Sequence, residues 1–260
     1  MTDNLPQKPK AFITDLNDFD KNEKSLHMSV SAKNLDRLKE LSVENLWLIG
    51  ANDKELRKIL PLVNLKYLNL YQVLAKDLAI LETLDKTETI ILNWNTKSTS
   101  LWDIAKNIGL KTLEITDFSK LEEIDQLSLA TQISDLTLGG GHNKPLKIKS
   151  INPLKNLTNL KTLSLTNLKI ADDTLQPLGH LKNLETLFLS NQFETKEYAW
   201  LATRLQKTKC KMFQATNSCN IVGADNKTVW DTMVTGRKKS FYFQLKTKRK
   251  LTNTLKTLKN

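Results

Sequence analysis

Cysteine is almost missing from the chain, and so is most of what usually accompanies catalysis. There are 2 cysteines, Cys210 and Cys219, and 3 histidines among 260 residues. Two cysteines build no disulfide framework, so a reducing, cytoplasmic setting is expected. His27, His142 and His180 are scattered, and no His–His or His–Cys pair has metal-ligand spacing. There is no GxSxG elbow and no dinucleotide fingerprint. The acidic run Asp15, Asp18, Asp20, Glu23 fails as a calcium loop: Glu23 stands where the loop needs glycine and Ser29 where it needs its closing glutamate. Glycine is scarce, at 8 residues, and three of them are Gly139–Gly141. That run lacks the Lys–Ser/Thr ending of a phosphate-binding loop and reads as a flexible loop. No apolar run approaches the roughly 18 residues of a membrane span, and residues 1–20 hold no apolar core of signal-peptide length. These absences argue against an enzyme, a metal and a cofactor.

Aromatics are only 7% of the chain against 40% hydrophobic residues in all. Leucine carries the difference, and its spacing is the strongest signal. In Ile151–Phe193 leucines fall at Leu154, Leu157, Leu160, Leu163, Leu165 and Leu168. The pattern restarts at Leu178, Leu181, Leu184, Leu187 and Leu189. Steps of three followed by a step of two mean a turn feeding a short strand, and the restart means stacked units. The first inward strand residues are Leu46, Leu68, Ile90, Leu113, Leu136, Leu163, Leu187 and Cys210, at intervals of 22, 22, 23, 23, 27, 24 and 23 residues. The 27-residue interval holds the insertion GGGHNKPLKIKS (139–150).

The phrase LKNLTNLKTLSLTNLKI (154–170) resembles the 22-residue leucine-rich repeats of bacterial internalins. The resemblance implies an α/β leucine-rich repeat solenoid: a horseshoe with a parallel, short-stranded sheet on its concave face and helical or irregular connectors outside. Extracellular members of the wider class often close their ends with cysteine clusters, which this chain lacks. Connectors with helical spacing are DKELRKIL (53–60), AKDLAILETL (75–84), SLWDIAKNI (100–108) and EYAWLATRL (197–205). The buried asparagine of such repeats survives at Asn95, so the other turns must satisfy their backbone groups by other means.

Three segments are expected: 1–44 with a capping strand at Leu26, Met28 and Val30; 45–218 as about eight repeats; and 219–260 as a cap of hairpin plus helix. Net charge is +11. Residues 227–260 hold ten lysines and arginines against Asp231 alone. Arg237, Lys238, Lys239, Lys248, Arg249 and Lys250 therefore suit phosphate or acidic-surface contacts, or else a solvated face on a capping helix.

Alternation along each strand sends every second side chain away from the core. Trp47, Tyr67, Asn69, Tyr71, Ile91 and Trp94 then gather at one end of the open face, with Phe188 and Phe213 at the other. Such aromatics suit capture of a protein or peptide by a monomer. The alternative is a face onto which the N-terminal segment folds. A non-enzymatic interaction module is the leading expectation, with nucleic-acid binding by the basic tail as its rival.

Overall fold

The computed structural model describes residues 5–142, 144–222, 228–236 and 242–243. The repeat pattern becomes a row of short strands: β1 (Ile13–Asp15), β2 (Ser25–Lys33), β3 (Asn45–Ile49), β4 (Tyr67–Val73), β5 (Thr89–Asn95), β6 (Thr112–Phe118) and β7 (Asp135–Gly139). It continues through β8 (Leu146–Ile148), β9 (Thr162–Thr166), β10 (Leu168–Ile170) and β11 (Thr186–Leu189). Among the described residues nine of these form one sheet, in the order β1-β2-β3-β4-β5-β6-β7-β9-β11. Its pairings are all parallel.

The register is in phase from rung to rung. Leu46, Leu68, Ile90, Leu113, Leu136, Leu163 and Leu187 form one row across the strands. Leu48, Leu70, Leu92, Ile115, Leu138, Leu165 and Leu189 form a second, and both rows are buried. The capping strand β2 extends them by one rung, with Leu26 opposite Leu46 and Met28 opposite Leu48. Each buried aliphatic contributes about 1.5–3 kcal/mol, yet each leans on side chains of the rungs beside it, so stability belongs to the stack.

Connectors close each rung on the far side of the core. Two are α-helical, α1 (Asp53–Ile59) and α2 (Thr195–Arg204). Asn52 starts α1 through a capping box with Glu55. The others tighten into single 3-10 turns, among them Ala79–Thr83 and Ile104–Lys106. Asn95 is fully buried; its amide donates to the Ala75 carbonyl (2.8 Å), and its oxygen accepts from the backbone of Lys97 and Ser98. Elsewhere the substitutes are local. Thr87 donates to the Leu65 carbonyl (2.9 Å), and Thr208 to that of Leu184 (2.6 Å). Asn107 donates to the Leu81 and Leu84 carbonyls while accepting from the Trp102 indole.

Five rungs turn through a left-handed residue at or near the end of their strand: Gly50, Gln72, Trp94, Asp117 and Asn167 have φ between 49° and 82°. Glycine, asparagine and aspartate adopt that conformation readily; at Gln72 and at the bulky Trp94 it carries strain.

Two expectations need correction. The glycine-rich insertion is built into the fold. It carries β8, which pairs in parallel with β10 (Leu146 opposite Leu168, Ile148 opposite Ile170). Asn167 ties it down by donating to the carbonyls of Gly141 (2.6 Å) and Lys144 (3.3 Å), and Gly141 lies so close to the Asp117 side chain that a Cβ has no room. The second correction is the rung expected at Cys210–Met212. There the chain makes a single bridge, Thr186 to Lys209, and then a 3-10 turn over Lys211–Phe213.

Beyond it lies an antiparallel sheet of β12 (Thr216–Val222), β13 (Thr228–Val234) and β14 (Tyr242–Phe243). β13 and β14, on either side of Gly236, pair antiparallel, and β12 adds a strand that the sequence did not suggest. It docks on the last rung, where Thr195 donates to the Thr235 carbonyl (2.9 Å) and the Gly236 amide donates to Asn191 (2.7 Å). The helix expected near Leu251, Leu255 and Leu258 lies outside the described residues.

Candidate binding face

The open face of the sheet is the side opposite the leucine rows. Trp47, Tyr67 and Ile91 point there, apart from the main core, and form their own apolar cluster. The Trp47 and Tyr67 rings lie 4.8 Å apart at 40°. Asn69 donates its amide to the Tyr67 hydroxyl at 3.3 Å. Burial raises the Tyr67 phenol above its usual value, an effect that the Asn69 hydrogen bond opposes.

Exposure of these three side chains, expected from strand alternation, is not what the structure has. Trp47 and Tyr67 are each 5% exposed and Ile91 9%. Their orientation is as expected, but Leu5 of the N-terminal segment packs on top of them. Covering is the physical answer to bare aromatics, since apolar surface removed from water stabilises by about 25 cal/mol per Å².

Tyr71 and Trp94 remain open, at 47% and 40% exposure. They sit on neighbouring strands, with rings edge to face and centroids 5.8 Å apart. Phe188 is also open at 47%. Four strand steps separate it from Trp94, roughly 19 Å at the usual spacing. Phe188 and half-buried Phe213 line a cleft of about 910 Å³ together with Cys210, Met212, Lys209 and Lys211. The face therefore divides into a covered cluster, an open aromatic pair and a distant cleft. Arg237, Lys238, Lys239, Lys248, Arg249 and Lys250 lie outside the described residues.

Two residues on this face carried no weight in the sequence reading. Glu114 stands next to Ile91 across β5 and β6. No ion pair reaches it among the described residues, and burial raises its carboxyl above the usual range. His27 stands opposite Trp47. It is 9% exposed, and neither ring nitrogen has a hydrogen-bond partner. Glu114 was visible as the one acidic residue in its outward column. Burial of His27 had no signal, because its cover comes from Phe12, whose ring meets it at 4.8 Å and 77°.

Among the described residues no group of three His, Cys, Asp or Glu side chains could hold a metal ion, and no helix is long and apolar enough to cross a membrane. Cys210 is a free, half-buried thiol, and burial raises its pKa, which lowers its reactivity at neutral pH.

In-phase leucine rows on a parallel sheet, closed by short helical connectors, define an α/β leucine-rich repeat solenoid. Among solved structures the chain is similar to internalin C2 of Listeria monocytogenes: 22% identity, 69% of this chain and 74% of that one, TM-score 0.48. It is also similar to internalin F of the same organism, at 18% identity over 71% of this chain and 64% of that one, TM-score 0.42. No protein-family model matches the chain, and no curated sequence does.

Proposed function

We propose that the chain is a non-enzymatic interaction module that takes a protein or peptide on the open face of its sheet, and that Tyr71 and Trp94 are the contacts made first. The observation that carries this reading is the state of Trp94. It occupies a left-handed turn position, φ 60°, where its neighbouring rungs use Gly50, Gln72, Asp117 and Asn167. Left-handed backbone costs about 1–2 kcal/mol for a residue with a bulky side chain. The same side chain leaves 40% of itself in water. A tryptophan that is strained and uncovered contributes little to its own fold. A paired aromatic at the rim of an apolar cluster has the composition of a binding hot spot. The free thiol of Cys210 suits the reducing interior of a cell.

The test is affinity capture from lysate of the source cells with the full chain and with the double variant Tyr71→Ser/Trp94→Asn, whose fold is checked by circular dichroism. Proteins retained by the native chain and lost by the variant, then shown to bind purified in a dilution series, support the reading. A captured protein that binds both chains with the same Kd would sink it.

A further inference from the structure

Building on the reading that this face binds a partner, we propose that residues 5–12 form a displaceable strap seated in the partner's anchor site. The partner is then an extended segment whose aliphatic side chain replaces Leu5 on Trp47, Tyr67 and Ile91.

The site is already shown filled by the kind of group it takes. Leu5 is the side chain packed on the cluster, and the cluster is separate from the leucine core. Its hold on the sheet is narrow. Outside the strand ladders no backbone hydrogen bond of the described residues involves residues 5–12. Strand pairing begins only at Ile13. Gln7, Lys8, Lys10, Ala11 and Phe12 are exposed. The strap therefore lies across the strands without extending the sheet, and one apolar side chain is its main anchor. Another extended chain with a leucine, isoleucine or valine at the same place meets the same rings and gives up no hydrogen bonds by comparison. Tyr71 and Trp94, outside the strap, offer such a segment a first foothold.

A second group under the strap responds to acid. His27 is enclosed by Phe12 above and Trp47 beside it, with Ser25 and Ser29 on either side along its own strand. The charged group that acts on it is Lys8 of the strap. The Pro9 carbonyl approaches the ring without reaching hydrogen-bond geometry. Burial first, and Lys8 second, hold the imidazole below the ordinary histidine pKa. A second proton would place a cation in a covered site beside a lysine, with only the Pro9 carbonyl to offset it, which is costly. The neutral ring is compatible with the seated strap above the ordinary pKa, and the penalty grows as pH falls below it. Acid therefore loosens the strap.

The test uses the full chain and a peptide of residues 1–12 labelled at its C-terminal end, with binding read by anisotropy. Leu5→Asp empties the site; Leu5→Asp with Ile91→Asp empties and spoils it. At neutral pH the peptide is expected to bind Leu5→Asp at least about ten-fold more tightly than the native chain, because the native site is already occupied. The double variant should not bind. Acidification to about pH 5 should weaken the Leu5→Asp complex, and His27→Phe should abolish that weakening. Equal binding by the native chain and Leu5→Asp, or none by either at millimolar peptide, overturns the strap. Neither result touches the partner reading, which is tested separately at Tyr71 and Trp94.

Discussion

Trp102 gives its indole N–H to the side-chain oxygen of Asn107 at 2.6 Å, and both side chains are buried. The Asn107 amide passes on to two carbonyls of the preceding rung, Leu81 at 2.7 Å and Leu84 at 3.0 Å. One asparagine thus takes the buried indole N–H and adds a second bond to two carbonyls that also accept the Leu84 and Thr87 amides. Asn107→Leu keeps the volume and removes all three bonds. The Leu81 and Leu84 carbonyls keep the Leu84 and Thr87 amides, so the Trp102 N–H is the group left unmet; an unmet buried polar group costs about 1–3 kcal/mol, and the variant should lose about that much. Urea unfolding followed by circular dichroism measures it. A loss below about 1 kcal/mol would mean that water or another side chain replaces the amide.

Trp94→Asn should move stability the other way. Asparagine accepts the left-handed turn, which recovers about 1–2 kcal/mol of backbone strain, while loss of the edge-to-face contact with Tyr71 costs about 0.5–1.5 kcal/mol. The balance is a small gain or no change, read as an equal or higher urea midpoint, together with weaker partner binding. A clear fall in midpoint would show that Trp94 supports the fold itself.

Glu44 lies between two lysines of adjacent rungs, 2.6 Å from Lys24 and 2.7 Å from Lys66. Their hydrogen bonds, Lys24 first, lower its carboxyl from 4.5 to about 2. A depressed carboxylate stabilises the fold above its unfolded value and loses that contribution as pH falls through the folded one. Native protein should therefore lose stability between about pH 4.5 and 2, and Glu44→Gln should flatten that part of the curve. The site is exposed, so about 1 M salt should shrink the difference. A variant with an unchanged acid limb would discount the ion pairs.

Glu114 carries the opposite sign. Burial raises its carboxyl, so ionising it in the folded chain opposes stability at neutral pH. Glu114→Gln is expected to be at least as stable as the native chain at pH 7, and its advantage should vanish below the ordinary glutamate pKa. Thermal melts at the two pH values compare them. An advantage that persists in acid would mean that side-chain charge is not its cause.

The rows of inward leucines were legible because burial demands one kind of side chain at one spacing. Which way Trp47 and Tyr67 face was legible for the same reason. A cover by the N-terminal segment was one of the two readings open to the sequence, and it is what the structure has; that Leu5 supplies it was not legible, since Leu5 lies far off in a polar segment with no periodicity. The left-handed backbone of Trp94 was equally silent, because alternation reports which side a residue faces and says nothing about φ. Cys210–Met212 shows the converse failure. Cys-Lys-Met has the right alternation for another rung, yet the following residues turn away into an antiparallel sheet, where the Thr235 amide bonds the Ala215 carbonyl. The insertion at 139–150 was misread because glycines suggested freedom, when Gly141 is there for close approach to Asp117.

In-phase register makes the open face a lattice. A side chain's address on it is two whole numbers, its rung and its place along the strand, with a pitch of about 4.8 Å one way and about 6.7 Å between same-side residues the other. Lengthening or shortening the chain by a full rung leaves every other address unchanged. Sliding a strand by a single residue would turn its outward set into the core. A ligand that fits two points of this grid therefore fits any larger array of the same rungs, and the spacing between its own contact groups can be read directly in multiples of that pitch.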